Sequence, residues 1–214
     1  MILNEIICYA AVQVLPWILG GVAYFTLLWW ICNVLDSDPQ PVEGKSIAVL
    51  GMQEAGKTLM LATLQNKEYN NYSATVGEEP YSEFNLKTGE KSIKIKSGKD
   101  IGGGVEYCHR YEDMINSCDI VFFLFDGYKY LHDKKYEKNA KARLDFIHRK
   151  KGAKQVVVIA THKDKFDYPD KAYRDILATV FRKSSYRELF ETNFLFLNMR
   201  DKNDFLSKFV KIIS

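Results

Sequence analysis

Residues 51 to 58 read Gly51-Met-Gln-Glu-Ala-Gly56-Lys57-Thr58, and they stand between a short apolar run, Ser46-Ile-Ala-Val-Leu50, and Leu59-Met-Leu-Ala-Thr-Leu64. This is the spacing G-x-x-x-x-G-K-[ST] placed between a strand and a helix. That order is what phosphate binding requires. Glycines let backbone N–H groups curl around an anion, and the helix that follows points its positive N-terminal end at it. Lys57 is expected on the β- and γ-phosphates of a nucleotide, and the Thr58 hydroxyl on Mg²⁺. Gly51, Gln53, Glu54, Ala55 and Gly56 supply the rest of the loop. A glycine turn with an incidental lysine is the plainer reading, and the flanking strand and helix speak against it.

The second constraint is an apolar stretch. From Ile6 to Leu35 the chain carries no charged residue, and about 20 apolar residues suffice to cross a bilayer. A secretory signal would begin with a basic segment, but here the charged residue before the run is Glu5. The run is apolar on all sides, unlike an amphipathic core helix, and Trp29 and Trp30 suit a membrane interface. Residues 1–35 are therefore expected as a single membrane-spanning helix, 36–44 as a polar proline-bearing linker and 45–214 as a nucleotide-binding domain. Flanking charge does not orient the helix: Glu5 lies on one side, and Asp36, Asp38 and Glu43 on the other. Nucleoside triphosphates abound in the cytosol, so the domain is expected to face it. Gly20-Gly21 offers the one close-packing point for helix dimerisation.

Composition adds exclusions. A net charge of +3, with its basic residues dispersed, gives no case for a nucleic-acid partner. The cysteines Cys8, Cys32, Cys108 and Cys118 contain no C-x-x-C pair, so a zinc site is not indicated and reduced thiols are expected.

Strand and helix signals alternate along the remainder. Strands are expected near Tyr81–Lys87 and Ser92–Lys96, joined by a turn at Thr88-Gly89-Glu90, and a helical stretch should run to Asn116. Ile120–Phe125 and Gln155–Ala160 are fully apolar, as strands buried on both faces must be. Helices are expected over Tyr136–Lys150, within Lys171–Phe190 and over Asp204–Ile213, with a last strand at Asn193–Leu197. This alternation implies an α/β fold, a mostly parallel sheet covered by helices on both faces, with the hairpin supplying an antiparallel edge.

Three further segments carry a resemblance. Thr75 lies in Ala74-Thr75-Val76-Gly77, between the first helix and the hairpin. Asp100-Ile-Gly-Gly103 ends the third expected strand. Thr161-His162-Lys163-Asp164 follows the second buried strand. With the phosphate loop, these resemble a Ras-like small GTPase, and the Thr-Val-Gly and Asp-Ile-Gly-Gly segments are similar to those of the Arf group. The resemblance covers residues 45–214 and implies a six-stranded P-loop NTPase fold binding GTP or GDP with Mg²⁺. It implies Thr58, Thr75 and Asp100 around the metal and the Gly103 N–H on the γ-phosphate. It places Asp164 on guanine, within Thr161, His162, Lys163 and Asp164, and the loop of Asn198 and Met199 behind the base. The Thr-His-x-Asp form is similar to that of Roc-type GTPase domains. One membrane helix followed by such a domain resembles the signal-recognition-particle receptor β subunit in architecture.

The chain departs from the family at Gly104, where a glutamine usually orients the attacking water. Glu106 and His109 are candidates to replace it. The resemblance thus implies a membrane-anchored GTP-binding switch for a partner protein, with slow or assisted GTP hydrolysis. Gly104 keeps open a constitutively nucleotide-bound scaffold. The phosphate loop leaves a P-loop ATPase as a third reading; Asp126, at the end of an apolar strand, mimics the acidic residue of such an enzyme, but in the Ras-like topology that strand commonly ends in Asp with no metal role.

Overall fold

A computed structural model describes residues 41–68, 75, 77–88, 91–166 and 169–213. The membrane helix expected over residues 1–35, with Cys8 and Cys32, and the turn at residues 89–90 lie outside them.

The chain runs as β1 (Pro41–Lys45) and, past Ser46, as β2 (Ile47–Gly51). The polar stretch 36–44, expected as a linker, is thus strand from Pro41 onward. Proline is tolerated at the first residue of a strand, because it lacks only a ladder donor. Ser46 marks a change of partner. Its N–H and hydroxyl both donate to Asp119 Oδ2 at 2.7 Å, and these bonds hold the Asp119 carboxyl below its ordinary range.

A long hairpin follows, made of β3 (Glu78–Tyr81), β4 (Phe84–Thr88), β5 (Lys91–Ile95) and β6 (Gly98–Ile101). Both antiparallel pairings share one register: Thr88 faces Lys91, Phe84 faces Ile95, Tyr81 faces Gly98 and Glu78 faces Ile101. The two pairings are therefore one hairpin with a break in its middle. β1 pairs with β5 in parallel, while β2 pairs in parallel with β7 (Ile120–Asp126). β8 (Gln155–Thr161) and β9 (Phe194–Phe196) extend the sheet in parallel. The paired groups are β1–β5–β4, β3–β6 and β2–β7–β8–β9. They share the Pro41–Gly51 path and the hairpin, so they form one layer with its antiparallel edge on the hairpin side.

Both apolar runs form the centre of this layer, and every residue of β7 is buried. Neighbouring residues on a strand face opposite sides. Phe122 stacks on Phe209 of α7 (Lys202–Ile213) at 5.1 Å. Phe125 meets Phe181 of α5 (Asp170–Phe181) edge-on at 6.4 Å. Helices therefore cover both faces, and each fully buried phenylalanine contributes about 1.5–3 kcal/mol.

The remaining helices are α1 (Lys57–Leu64), α2 (Tyr111–Asn116), α3 (Gly127–His132), α4 (Lys134–Lys150) and α6 (Arg187–Thr192). The stretch expected to be helical before Asn116 begins as a 3₁₀ turn, Val105–Arg110. The Lys171–Phe190 region is divided between α5 and α6. α4 starts at Asp133, whose carboxylate accepts from the N–H groups of Lys135 and Tyr136, at 2.9 and 3.0 Å, and so satisfies donors that a helix start leaves open. Its inner stripe is Ala140, Arg143, Leu144 and Ile147. Cys108 and Cys118 are free thiols. Among the described residues no helix is long and apolar enough to cross a membrane.

Candidate functional site

The carboxyl ends of the parallel strands and the loops after them enclose a cleft of about 480 Å³. In an open α/β sheet this is where ligands bind. The loop from Gly51 to Thr58 forms one end. Gly51 has no room for a side chain, since a Cβ would come within 2.3 Å of Leu124 O. Glu54 and Gly56 adopt left-handed backbone, φ 60° and 88°, which curls the loop. Gln53, Glu54, Ala55, Gly56, Lys57 and Thr58 all line the cleft. Across the loop's outer side Lys129 pairs with Glu54 at 2.5 Å and lowers the Glu54 carboxyl below its usual range.

Lys57 is 6% exposed and donates to Met52 O at 3.1 Å. Burial, opposed by the nearby Asp100 charge, lowers its pKa from 10.5 to about 8, and Arg143 lowers it further in the same direction. An anion bound here would relieve that penalty.

Three oxygens converge beside it. Thr58 Oγ1 donates to Asp100 Oδ2 at 2.7 Å and lies 2.7 Å from Thr75 Oγ1, and Thr75 Oγ1 is 3.4 Å from Asp100 Oδ2. Asp100 is buried, burial raises its carboxyl pKa, and its Oδ1 has no hydrogen-bond partner. A buried orphan carboxylate oxygen beside two hydroxyls is what a small hard cation takes up. The donor set fits Mg²⁺, which is held by one or two protein oxygens plus phosphates and water. Among the described residues no cluster of histidine, cysteine and acidic side chains suits another metal.

Gly103 lies flat against the loop, because a Cβ there would fall 2.4 Å from Gln53 N. At Gly104 a Cβ would come within 2.1 Å of Glu106 Oε1. Glu106 thus folds back over the space that a side chain at 104 would enter, and it lines the cleft. His109 does not line it, and its Nδ1 sits 2.5 Å from Glu106 O. Tyr107, not anticipated from sequence, lines the cleft and ties Gly77, after Thr75, to the segment that follows Asp100. Its hydroxyl accepts from Gly77 N at 2.8 Å, while Gly102 N donates to Gly77 O at 3.1 Å.

The other end of the cleft is built from turns. Thr161, His162, Asp164, Asn198, Met199 and Arg200 line it, and so does Lys165, which the sequence motifs did not single out; Leu59, next to Thr58 on α1, also lines the cleft. Lys163 stands in the same turn, does not line the cleft, and places its N–H 3.3 Å from Leu197 O. Thr161 Oγ1 donates to Phe125 O at 3.1 Å. His162 takes a left-handed backbone, φ 60°, with Nδ1 3.0 Å from Thr161 Oγ1 and 3.3 Å from Asp126 Oδ2. Burial lowers its pKa, so the ring is neutral at physiological pH. Asp164 is exposed at the cleft wall. Arg200 N donates to Asn198 Oδ1 at 3.0 Å, which shapes the turn.

Asp126 is buried, caps α3 by accepting from Lys129 N at 3.0 Å, and receives Lys165 Nζ at 3.3 Å. It does not line the cleft. Its carboxylate holds the Thr161–Lys165 turn, through Lys165 Nζ and His162 Nδ1, each at 3.3 Å.

A phosphate loop at the head of a parallel sheet, an oxygen cluster for a cation and an acidic turn at the far wall define a P-loop nucleotide-binding protein of the Ras-like class. The family model of the ADP-ribosylation factors matches residues 32–193, and the chain belongs to the ADP-ribosylation factor (Arf) family. It is a small GTP-binding protein of switch type. Proteins of this family bind GTP and GDP, generally with Mg²⁺. No curated protein matches the sequence.

Proposed function

We propose that the chain is a membrane-tethered GTP-binding switch whose conformation is read by a partner protein on the same membrane. The observation that carries the reading is the joining of Thr58, Thr75 and Asp100 beside Lys57. One motif from the phosphate loop, one from the first switch and one from the second meet within hydrogen-bond distance. A γ-phosphate and its cation at this junction would hold Thr75 and Gly103 together, and their loss would release both segments.

Each residue has a definable task. The loop N–H groups and the buried Lys57 bind phosphate charge. Thr58, Thr75 and Asp100 would hold Mg²⁺, which when bound neutralises the charge on the phosphate oxygens. Asp164 accepts from guanine N1 and its exocyclic amine, an arrangement that adenine does not match. Met199 and Asn198 close the wall behind the base. Gly104 leaves no carboxamide to orient water, so hydrolysis is slow unaided or assisted by a partner, with Glu106 the nearest group over that position. A constitutively bound, non-cycling scaffold is the second reading, and Gly104 is the observation that favours it.

Membrane attachment rests on the uncharged run from Ile6 to Leu35, and the domain would face the cytosol. The expected partners are a lipid bilayer and a protein effector, with no nucleic acid.

The test is titration of the full 214-residue chain with GDP, a non-hydrolysable GTP analogue and an ATP analogue, each with Mg²⁺. Selective guanine binding is expected. Preference for the ATP analogue, or binding of none, overturns the reading. Multiple-turnover assays of the binding-competent protein then separate the switch from the scaffold, since a scaffold releases no phosphate even over hours.

A further inference from the structure

We propose that Arg143 is a positioning residue that straps the second switch to the phosphate loop and presets Gly103 for a third phosphate. Arg143 occupies the inner stripe of α4, where its neighbours Ala140, Leu144 and Ile147 are core residues. Packing alone would place an apolar side chain there. Instead a guanidinium is 6% exposed, and burying a charge is costly unless something compensates it. Among the described residues no carboxylate pairs with it.

Backbone carbonyls provide the compensation. Arg143 Nη1 donates to Gly51 O at 2.9 Å, to Gly103 O at 2.9 Å and to the Tyr111 hydroxyl at 3.1 Å. That hydroxyl donates to Gly51 O at 3.1 Å and accepts from Gly51 N at 3.2 Å. The guanidinium lies 5.8 Å from the Tyr111 ring centroid, within cation–π range. One nitrogen therefore joins the first residue of the phosphate loop to the glycine of the second switch. The join falls where the two backbones touch, at Gly103 against Gln53.

Two consequences follow. The Gly103 N–H belongs to the preceding peptide, so Arg143 acts on it indirectly: holding Gly103 O anchors the Gly103 backbone against the loop and, in a trans peptide, turns the Gly104 N–H the opposite way. Arg143 also places a second cation behind the loop. Beside the phosphate loop, two cationic side chains, Lys57 and Arg143, are then buried with one carboxylate, Asp100. The counter-charge this arrangement lacks is the phosphate itself. A diphosphate meets the loop, whereas a triphosphate also meets the second switch, so the strap acts chiefly on the triphosphate.

The inference rests on the GTP-switch reading, and its test keeps the two apart. Arg143→Met, which keeps bulk and removes the donors, is made in the full chain and titrated with GDP and a non-hydrolysable GTP analogue, each with Mg²⁺. The analogue should lose about tenfold more affinity than GDP, the scale of a lost hydrogen bond to a charged group. Equal losses for both nucleotides, or no loss, overturn the proposal and leave Arg143 a core residue only. Wild-type protein that binds neither nucleotide overturns the switch reading and the proposal with it. Should Arg143→Met not fold, Tyr111→Phe is the second variant. It deletes the hydroxyl that supports both Arg143 and Gly51, and should shift the GDP-to-analogue ratio the same way by a smaller factor. An unchanged ratio overturns the proposal.

Discussion

The two ends of the cleft are built by different means. The phosphate end is embedded in the core. Lys57 and Asp100 are buried, Thr58 bonds to Asp100, and Arg143 and Tyr111 brace the loop from behind. The base end is a pair of surface turns, Lys163–Lys165 and the Asn198–Arg200 segment, with Asp164 exposed and one buried carboxylate, Asp126, holding the first turn in place. Burial strengthens electrostatics and makes an unmatched charge costly, so the phosphate end should dominate affinity and the empty state's strain. The base end should decide identity, because discrimination between purines needs only a correctly presented carboxylate.

The largest expected break of this contrast is Lys57→Met. Nucleotide affinity should fall by at least about a hundredfold, in line with the ~3 kcal/mol scale of a buried charged hydrogen bond. The same substitution should raise the thermal stability of the nucleotide-free chain, because it removes a buried ammonium. Calorimetric titration and melting of one preparation check both signs, and a loss of stability in the empty protein would break the argument.

Asp164→Asn tests the other end. GTP affinity should drop about tenfold or more as a buried donor of guanine loses its acceptor, and preference should move toward xanthosine nucleotides, while stability stays within about 0.5 kcal/mol, as for an ordinary surface substitution. Unchanged GTP affinity would mean that Asp164 does not read the base.

Lys57, at the phosphate end, leads the pH response on the alkaline side. Lys57 titrates near 8 in the folded empty chain and near 10.5 when unfolded. Between these values the unfolded chain holds a proton that the folded chain has released, so stability of the empty protein rises with pH from about 8 to 10. Lys57 by itself contributes about 2–3 kcal/mol by pH 10 at 1.36 kcal/mol per unit, while Cys118, whose thiol burial holds above its ordinary value, acts in the opposite sense from about pH 9, because the unfolded chain ionises it first. Above 10 the buried Tyr81 and Tyr186, both raised to about 12, act in the opposite sense, because only the unfolded chain ionises them. Denaturant titrations of wild type and Lys57→Met at pH 7, 8, 9 and 10 isolate the lysine, and the rise should vanish in the variant. Nucleotide affinity should fall over the same range, since phosphate binds the protonated amine.

The smallest expected effect concerns turnover. Gly104→Gln alone must displace Glu106, whose carboxylate fills that space. Paired with Glu106→Ala it should raise phosphate release about tenfold, or about 1.4 kcal/mol in the barrier. No increase in the double variant would place the limit on hydrolysis elsewhere.

Motif spacing and apolar runs, which are local, made the Gly51–Thr58 loop and the two buried strands legible in the sequence, and the resemblance to small GTPases pointed to Thr75, Asp100, Gly103 and Asp164. Boundaries set by pairing were less legible. Pro41–Gly44 read as the end of a linker and, with Lys45, becomes a strand because the hairpin offers it an edge at Ser92 and Ile93. Residues that act through a distant contact were not legible at all. Nothing near Arg143 or Tyr107 in the chain announces a role, since Arg143 meets its partners across 92 and 40 positions. Asp126 was visible, but what it holds was not. The chain alone determined the phosphate-loop spacing and the two central strands buried on both faces, because both follow from short patterns. Only the tertiary structure decided that the second switch is strapped to the loop and that Glu106 occupies the place of the missing glutamine. Those arrangements arise where separate loops meet at one end of the sheet, and no local sequence rule encodes such a meeting.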